Sequence, residues 1–146
     1  GPGDNFDPVS AHVIPALIRR FDAAARTGEP EVSVWGDGRA TREFLYVDDA
    51  ARGVLLAAER YDDGDPVNLG AGFEISVKDL ALLIAELTGY RGGVTFDASK
   101  PAGQRRRMAD VSRAKREFGF EAEVGFRAGL ELTIAWYREQ RAGAAS

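Results

Sequence analysis

Between residues 11 and 27 apolar side chains recur every three or four positions, as Val13, Ile14, Leu17, Ile18, Phe21, Ala24 and Ala25, which predicts an amphipathic helix. Pro15 suits its first turn, where a missing N–H costs nothing, and Gly28 suits its stop. Alternation of Val32 and Val34 predicts a strand over 30–35, closed by a Gly36-Asp37-Gly38 turn. A second short strand is expected over 43–47, then a helix capped by Asp48 or Asp49 and carrying Val54, Leu55 and Ala58 to about Tyr61. A brief apolar strand, 67–69, follows the turn-rich 62–66.

Ser76-Val77-Lys78-Asp79 reads as a capping box with Asp in place of Glu, opening a helix through Leu80, Leu83, Ile84 and Leu87 that Gly89 ends. Residues 94–96 form a strand, 98–107 an irregular stretch, and Ser112 starts a short helix ended by Gly119. A last amphipathic helix spans 126–141, with a frayed tail over 142–146. Helices alternating with strands make an α/β chain. The strands are so few and short that they are expected to extend a sheet supplied by further residues.

Composition narrows the class. In 146 residues, 45% hydrophobic and 29% charged, eight Phe, four Tyr and two Trp can anchor one core. The longest apolar runs, such as 54–58, are far too short for a spanning helix, so no membrane partner is expected. A net charge of −4 argues against nucleic acid. Cysteine is absent, which excludes thiolate metal sites and fits a reducing cytoplasm. With one histidine, no metal site is expected. No signal peptide or presequence is visible, and the opening Gly1-Pro2-Gly3-Asp4 reads as a cleavage scar or a cut inside a longer protein.

Candidate chemistry is sparse. Gly70-Ala71-Gly72 follows a strand as a dinucleotide-binding turn would, but Ile75 stands where the third glycine belongs, so it is taken as an ordinary turn. His12, just ahead of the first helix, is a surface or capping residue on one reading and a general acid on the other. Trp35 belongs either to the core or to a pocket wall beside Gly36 and Gly38. Arg19, Arg20, Arg42 and Arg105–Arg107 are solvated cations unless several converge, in which case their planar forks suit a diphosphate. Asp48-Asp49 reads as a cap, not a metal site.

Several stretches together resemble the GDP-L-fucose synthase family, within the extended short-chain dehydrogenases. They are Gly1-Pro2-Gly3-Asp4-Asn5-Phe6, His12-Val13-Ile14-Pro15-Ala16-Leu17-Ile18-Arg19-Arg20, Val34-Trp35-Gly36-Asp37-Gly38, Thr41-Arg42-Glu43-Phe44-Leu45-Tyr46-Val47-Asp48-Asp49, Asn68-Leu69-Gly70 and Arg106-Arg107-Met108-Ala109-Asp110. The resemblance runs in order along nearly the whole chain.

It implies the C-terminal, substrate-binding portion (residues 1–141) of a Rossmann-type enzyme whose N-terminal half, with the NADP-binding turn and reducing triad, is absent. It further implies His12 as the acid that reprotonates the substrate during epimerisation and as a cofactor contact. Arg20, Trp35, Arg42 and Arg107 fall on contacts to the nucleotide sugar. The implied reaction is NADPH-dependent conversion of GDP-4-keto-6-deoxy-D-mannose to GDP-L-fucose, with the missing half as partner, a homodimer as assembly, and no activity in the isolated chain. Ala102 and Ala11 depart from the family pattern of Asp and Ser. That keeps two alternatives open: another nucleotide-sugar epimerase or dehydratase, and a non-catalytic binding module.

Overall fold

The computed structural model describes residues 1–101 and 103–143. Helix α1 (Val13–Thr27) starts at His12, whose side chain makes no capping hydrogen bond, and stops at Gly28 with φ 71°. Strand β1 (Glu31–Trp35) turns Val32 and Val34 inward. A two-residue strand β2 (Thr41–Arg42) leads to helix α2 (Val47–Arg60). Strand β3 (Ile75–Ser76) runs into helix α3 (Val77–Thr88), capped as the sequence predicts: the Ser76 hydroxyl oxygen accepts from the Asp79 amide at 3.0 Å. Strands β4 (Gly93–Asp97) and β5 (Arg106–Arg107) and helices α4 (Ser112–Phe118) and α5 (Phe126–Gly143) complete the chain.

The principal core lies between α1, α3, α5 and the β1–β4 pair. Ile18, Phe21, Leu80 and Ile84 are fully buried there, and each such side chain contributes roughly 1.5–3 kcal/mol. Asp22 is buried on the same helix and gathers Arg26, Arg138 and Arg141, which ties α1 to α5. A smaller cluster joins Ala114, Phe118 and Phe120 of the α4 region to Leu56 of α2 and to Leu69. β1 pairs with β4 in parallel, while β2 is flanked by antiparallel β3 and parallel β5.

The α/β class holds, but several local expectations need correction, among them the irregular stretch expected over 98–107, whose last two residues form β5 by pairing with β2. Residues 43–46 are not a strand, because α2 already begins at Val47 and the Glu43 side chain is committed elsewhere. Residues 67–69 have no ladder partner among the described residues and form no strand. Asp48 and Asp49 do not cap α2, which starts at Tyr46 without a side-chain cap. The last helix runs two residues past Arg141 to Gly143, shortening the expected tail; 144–146 lie outside the described residues, as does Ala102.

Candidate functional site

Two parallel strand pairs, β1–β4 and β2–β5, are joined by two loops, and the candidate site is placed around that junction. Trp35 and Asp97 are the last, paired residues of β1 and β4. From there residues 36–40 lead to β2 and 98–105 lead to β5, so both loops leave the carboxyl ends of one parallel pair and enter the next. That end of a parallel sheet is where open α/β folds place ligands. Trp35 is 66% exposed, so its side chain is not core and stands free at this rim. The Gly36 amide donates to the Asp97 carbonyl at 2.9 Å, which holds the two loops together at their root.

In the second pair Thr41 faces Arg106 and Arg42 faces Arg107. Paired residues of neighbouring strands share a face and adjacent residues take opposite ones. The Thr41–Arg106 face is neutralised: the Glu74 carboxylate accepts from Arg106 Nε with both oxygens at 3.0 Å and from the Thr41 hydroxyl at 2.9 Å. These contacts hold the Glu74 carboxyl below its usual range and push the Arg106 guanidinium up.

The Arg42–Arg107 face has no such partner. Among the described residues no carboxylate lies within 4 Å of either guanidinium; Arg42 Nη1 donates to the Thr41 carbonyl at 2.7 Å. An open depression of about 500 Å³ lies along Arg106–Asp110. A separate hollow of about 220 Å³, walled by Phe44, Tyr46, Phe73 and Phe126, includes none of the predicted site residues.

Helix α1 brings the other two candidates to the same end. Arg20 Nη2 donates to the Ser33 carbonyl at 2.7 Å. Residues 20 and 33 can meet only if β1 runs back along α1; a strand continuing onward would put them roughly 20 Å apart. His12 then lies about 12 Å beyond Arg20 along the helix, and Trp35 about 7 Å beyond Ser33 along the strand, in the same direction. His12 is exposed and makes no side-chain bond to the arginines. Arg42 and Arg107 are therefore direct neighbours, Arg20 braces α1 against the strand that carries Trp35, and His12 stands apart at the helix entrance.

Two carboxylates organise the surroundings: Glu43, which drew no role from the sequence, and Asp49, which read there as a helix cap. Glu43 accepts from the Gly72 amide with Oε1 and the Ala109 amide with Oε2, both at 2.8 Å. The Gly70–Gly72 turn thus has an amide occupied by a protein carboxylate, which does not fit a dinucleotide pyrophosphate cradle there. Asp49, 3% exposed, accepts from the Glu123 amide at 3.1 Å, the Val124 amide at 2.9 Å and Arg52 Nη2 at 3.1 Å. Burial pushes the Asp49 carboxyl up, but the amides of Val124 and Glu123 and the Arg52 guanidinium outweigh it and hold it below its usual range. Spacing within one helix carries no signal of partners more than seventy positions away.

Residues 1–70 match the NAD dependent epimerase/dehydratase family. The chain is 44% identical over 139 residues to a probable GDP-L-fucose synthase 1 of Oryza sativa, covering 95% of this chain and 42% of that protein. It is 43% identical to the GDP-L-fucose synthase of Escherichia coli, covering 97% of this chain and 46% of that one. The chain therefore spans less than half the length of these relatives. Among solved structures, a GDP-L-fucose synthetase from Naegleria fowleri bound to NADP superimposes with a TM-score of 0.89 at 30% identity, covering 97% of this chain and 44% of that chain. A UDP-glucose 4-epimerase from Thermotoga maritima, solved with UDP-glucose, gives 0.80 at 33% identity, covering 97% and 43%.

Proposed function

Because this chain is a homologue of the GDP-L-fucose synthases, within the NAD dependent epimerase/dehydratase family, we infer that it is the C-terminal, nucleotide-sugar-binding portion of an NADP-dependent epimerase/reductase that makes GDP-L-fucose. The observation that carries the reading is the Arg42–Arg107 pair, two guanidiniums on one strand face with no carboxylate beside them. Adjacent like charges repel, and a diphosphate relieves that repulsion by bridging both forks. Trp35 offers an exposed ring at the same rim for the sugar or base to lie against.

In this reading the C4 ketone of the substrate acidifies the C–H bonds at C3 and C5. A base from outside this chain removes each proton, and His12 returns one to the opposite face. NADPH, when bound, supplies hydride to the ketone carbon. The Gly70–Gly72 turn does not suit its pyrophosphate, because the Gly72 amide is already taken by Glu43. The arginines keep the diphosphate still, which fixes the sugar ring against His12.

An uncovered helix face supports the view that more protein packs here. On α2, Val47, Ala51, Val54, Leu55 and Ala58 are all exposed. They recur at helical spacing, as a face awaiting a further layer does. The 67–69 segment, in which Val67 and Leu69 flank Asn68, follows that helix without a ladder partner among the described residues.

Calorimetric titration of the full-length protein with GDP, UDP and dTDP tests the reading. GDP is expected to bind at least tenfold more tightly than the others. Tight binding of UDP alone would instead favour the second reading, a UDP-sugar epimerase like the Thermotoga maritima protein. Failure of all three to bind would overturn the site altogether.

A further inference from the structure

The ladder that aligns Arg42 with Arg107 is only two residues long, too short to hold itself against two repelling cations. Contacts beyond the ladder help fix the register, and on the arginine side Glu43 makes two of them. The Glu43 amide donates to the Arg107 carbonyl at 3.1 Å, and the Glu43 carboxylate accepts from the Ala109 amide at 2.8 Å. One residue therefore grips the chain on both sides of Met108. The other carboxylate oxygen is anchored on the Gly72 amide at 2.8 Å.

The carboxylate also sits in a slot without slack. A Cβ added at Gly70 would lie 2.6 Å from Glu43 Oε1 and 2.8 Å from Val111 Cγ1. Although Glu43 directly follows Arg42, its two carboxylate oxygens are taken by the Gly72 and Ala109 amides and form no ion pair with either guanidinium. The negative charge is therefore satisfied by backbone amides and does not quench the arginine pair.

We propose that Glu43 is a positioning residue, whose doubly anchored carboxylate sets the separation of the Arg42 and Arg107 guanidiniums for a nucleoside diphosphate. The proposal rests on the nucleotide-sugar reading above. In Glu43→Gln one oxygen becomes an NH2 group that faces an amide donor, so one anchor becomes a repulsion. In Glu43→Asp both acceptors survive but are drawn back by one methylene. Both variants should let the exit of β5 drift and separate the two forks.

The test is a double-mutant cycle in the full-length protein, read by calorimetry with GDP and with guanosine. Glu43→Gln should weaken GDP at least tenfold and leave guanosine unchanged. Arg107→Ala should do the same, and the double variant should bind GDP no worse than Arg107→Ala alone, because Glu43 acts through that side chain. Glu74→Gln, which loosens the opposite face, should leave GDP affinity within twofold. Glu43→Asp supplies the same comparison if Glu43→Gln does not fold. Additive losses in the cycle, or equal losses for GDP and guanosine, would overturn the positioning role. A wild-type protein that binds no nucleoside diphosphate would overturn the underlying reading instead, so the two failures are distinguishable.

Discussion

Replacing Asp49 by Ala should cost far more than its place on a helix surface suggests. The side chain is buried and serves three donors: the amides of Glu123 and Val124 and the guanidinium of Arg52. Truncation leaves two backbone N–H groups facing an emptied slot, and an unsatisfied buried donor costs about 1–3 kcal/mol. Allowing for partial rescue by water, the expected loss is roughly 3 kcal/mol, or roughly 10 °C in Tm for a chain of this size. Chemical denaturation followed by circular dichroism at neutral pH would measure it.

The pH dependence has a definite sign. The folded-state carboxyl is held below its ordinary value of 3.8. Its contribution is therefore fully present above that value and is lost as pH falls through the lower, folded one. The gap between wild type and Asp49→Ala should narrow below pH 3.8 and stay flat from pH 5 to 7. A loss under about 0.5 kcal/mol at pH 7, the size of an ordinary surface change, would show that 122–125 are held by something else.

Gly53→Ala gains about 1 kcal/mol of helix propensity, but its Cβ would lie 2.9 Å from both Leu69 Cδ1 and the buried Phe120 ring. Overpacking costs about 1–3 kcal/mol, so a net loss of stability is expected by denaturant titration. The double substitution Val54→Ser/Leu55→Ser should change the stability of the isolated chain by less than about 0.5 kcal/mol, since both side chains are exposed. In the full-length protein it should cost roughly 3 kcal/mol or more, two lost apolar burials; equal effects in both would mean that nothing covers α2. His12→Gln should leave Tm unchanged, because the side chain caps nothing. In full-length enzyme it should slow solvent-deuterium incorporation into substrate about 10²–10⁴-fold, and an unaltered rate would remove His12 from the chemistry.

What the sequence made legible was whatever local pattern decides. The apolar spacing of α1 and α3, their glycine stops, the Ser76 cap and the inward Val32 and Val34 all follow from residues within one turn or one strand. The two-residue strands at Thr41, Ile75 and Arg106 escaped, because each exists only through a partner at least thirty positions away. Residues 67–69 misled for the reverse reason: an apolar run is a strand only where another strand lies beside it. Of the candidate site, residue types and resemblance singled out the arginines. The pairing of Arg42 with Arg107, and the quenching of Arg106 by Glu74, are facts of register. Glu43 drew no role of its own and Asp49 read as a helix cap, because their amide partners lie in distant loops.

Nucleotide binding by this chain depends on Arg42 and Arg107 gripping phosphates together. Titrating the full-length protein with guanosine, GMP and GDP, in wild type and in Arg42→Ala/Arg107→Ala, puts that question directly. Affinity should climb with each added phosphate in wild type and lose that climb in the double variant, with guanosine binding equally to both. A GDP affinity that survives loss of both guanidiniums would contradict the account.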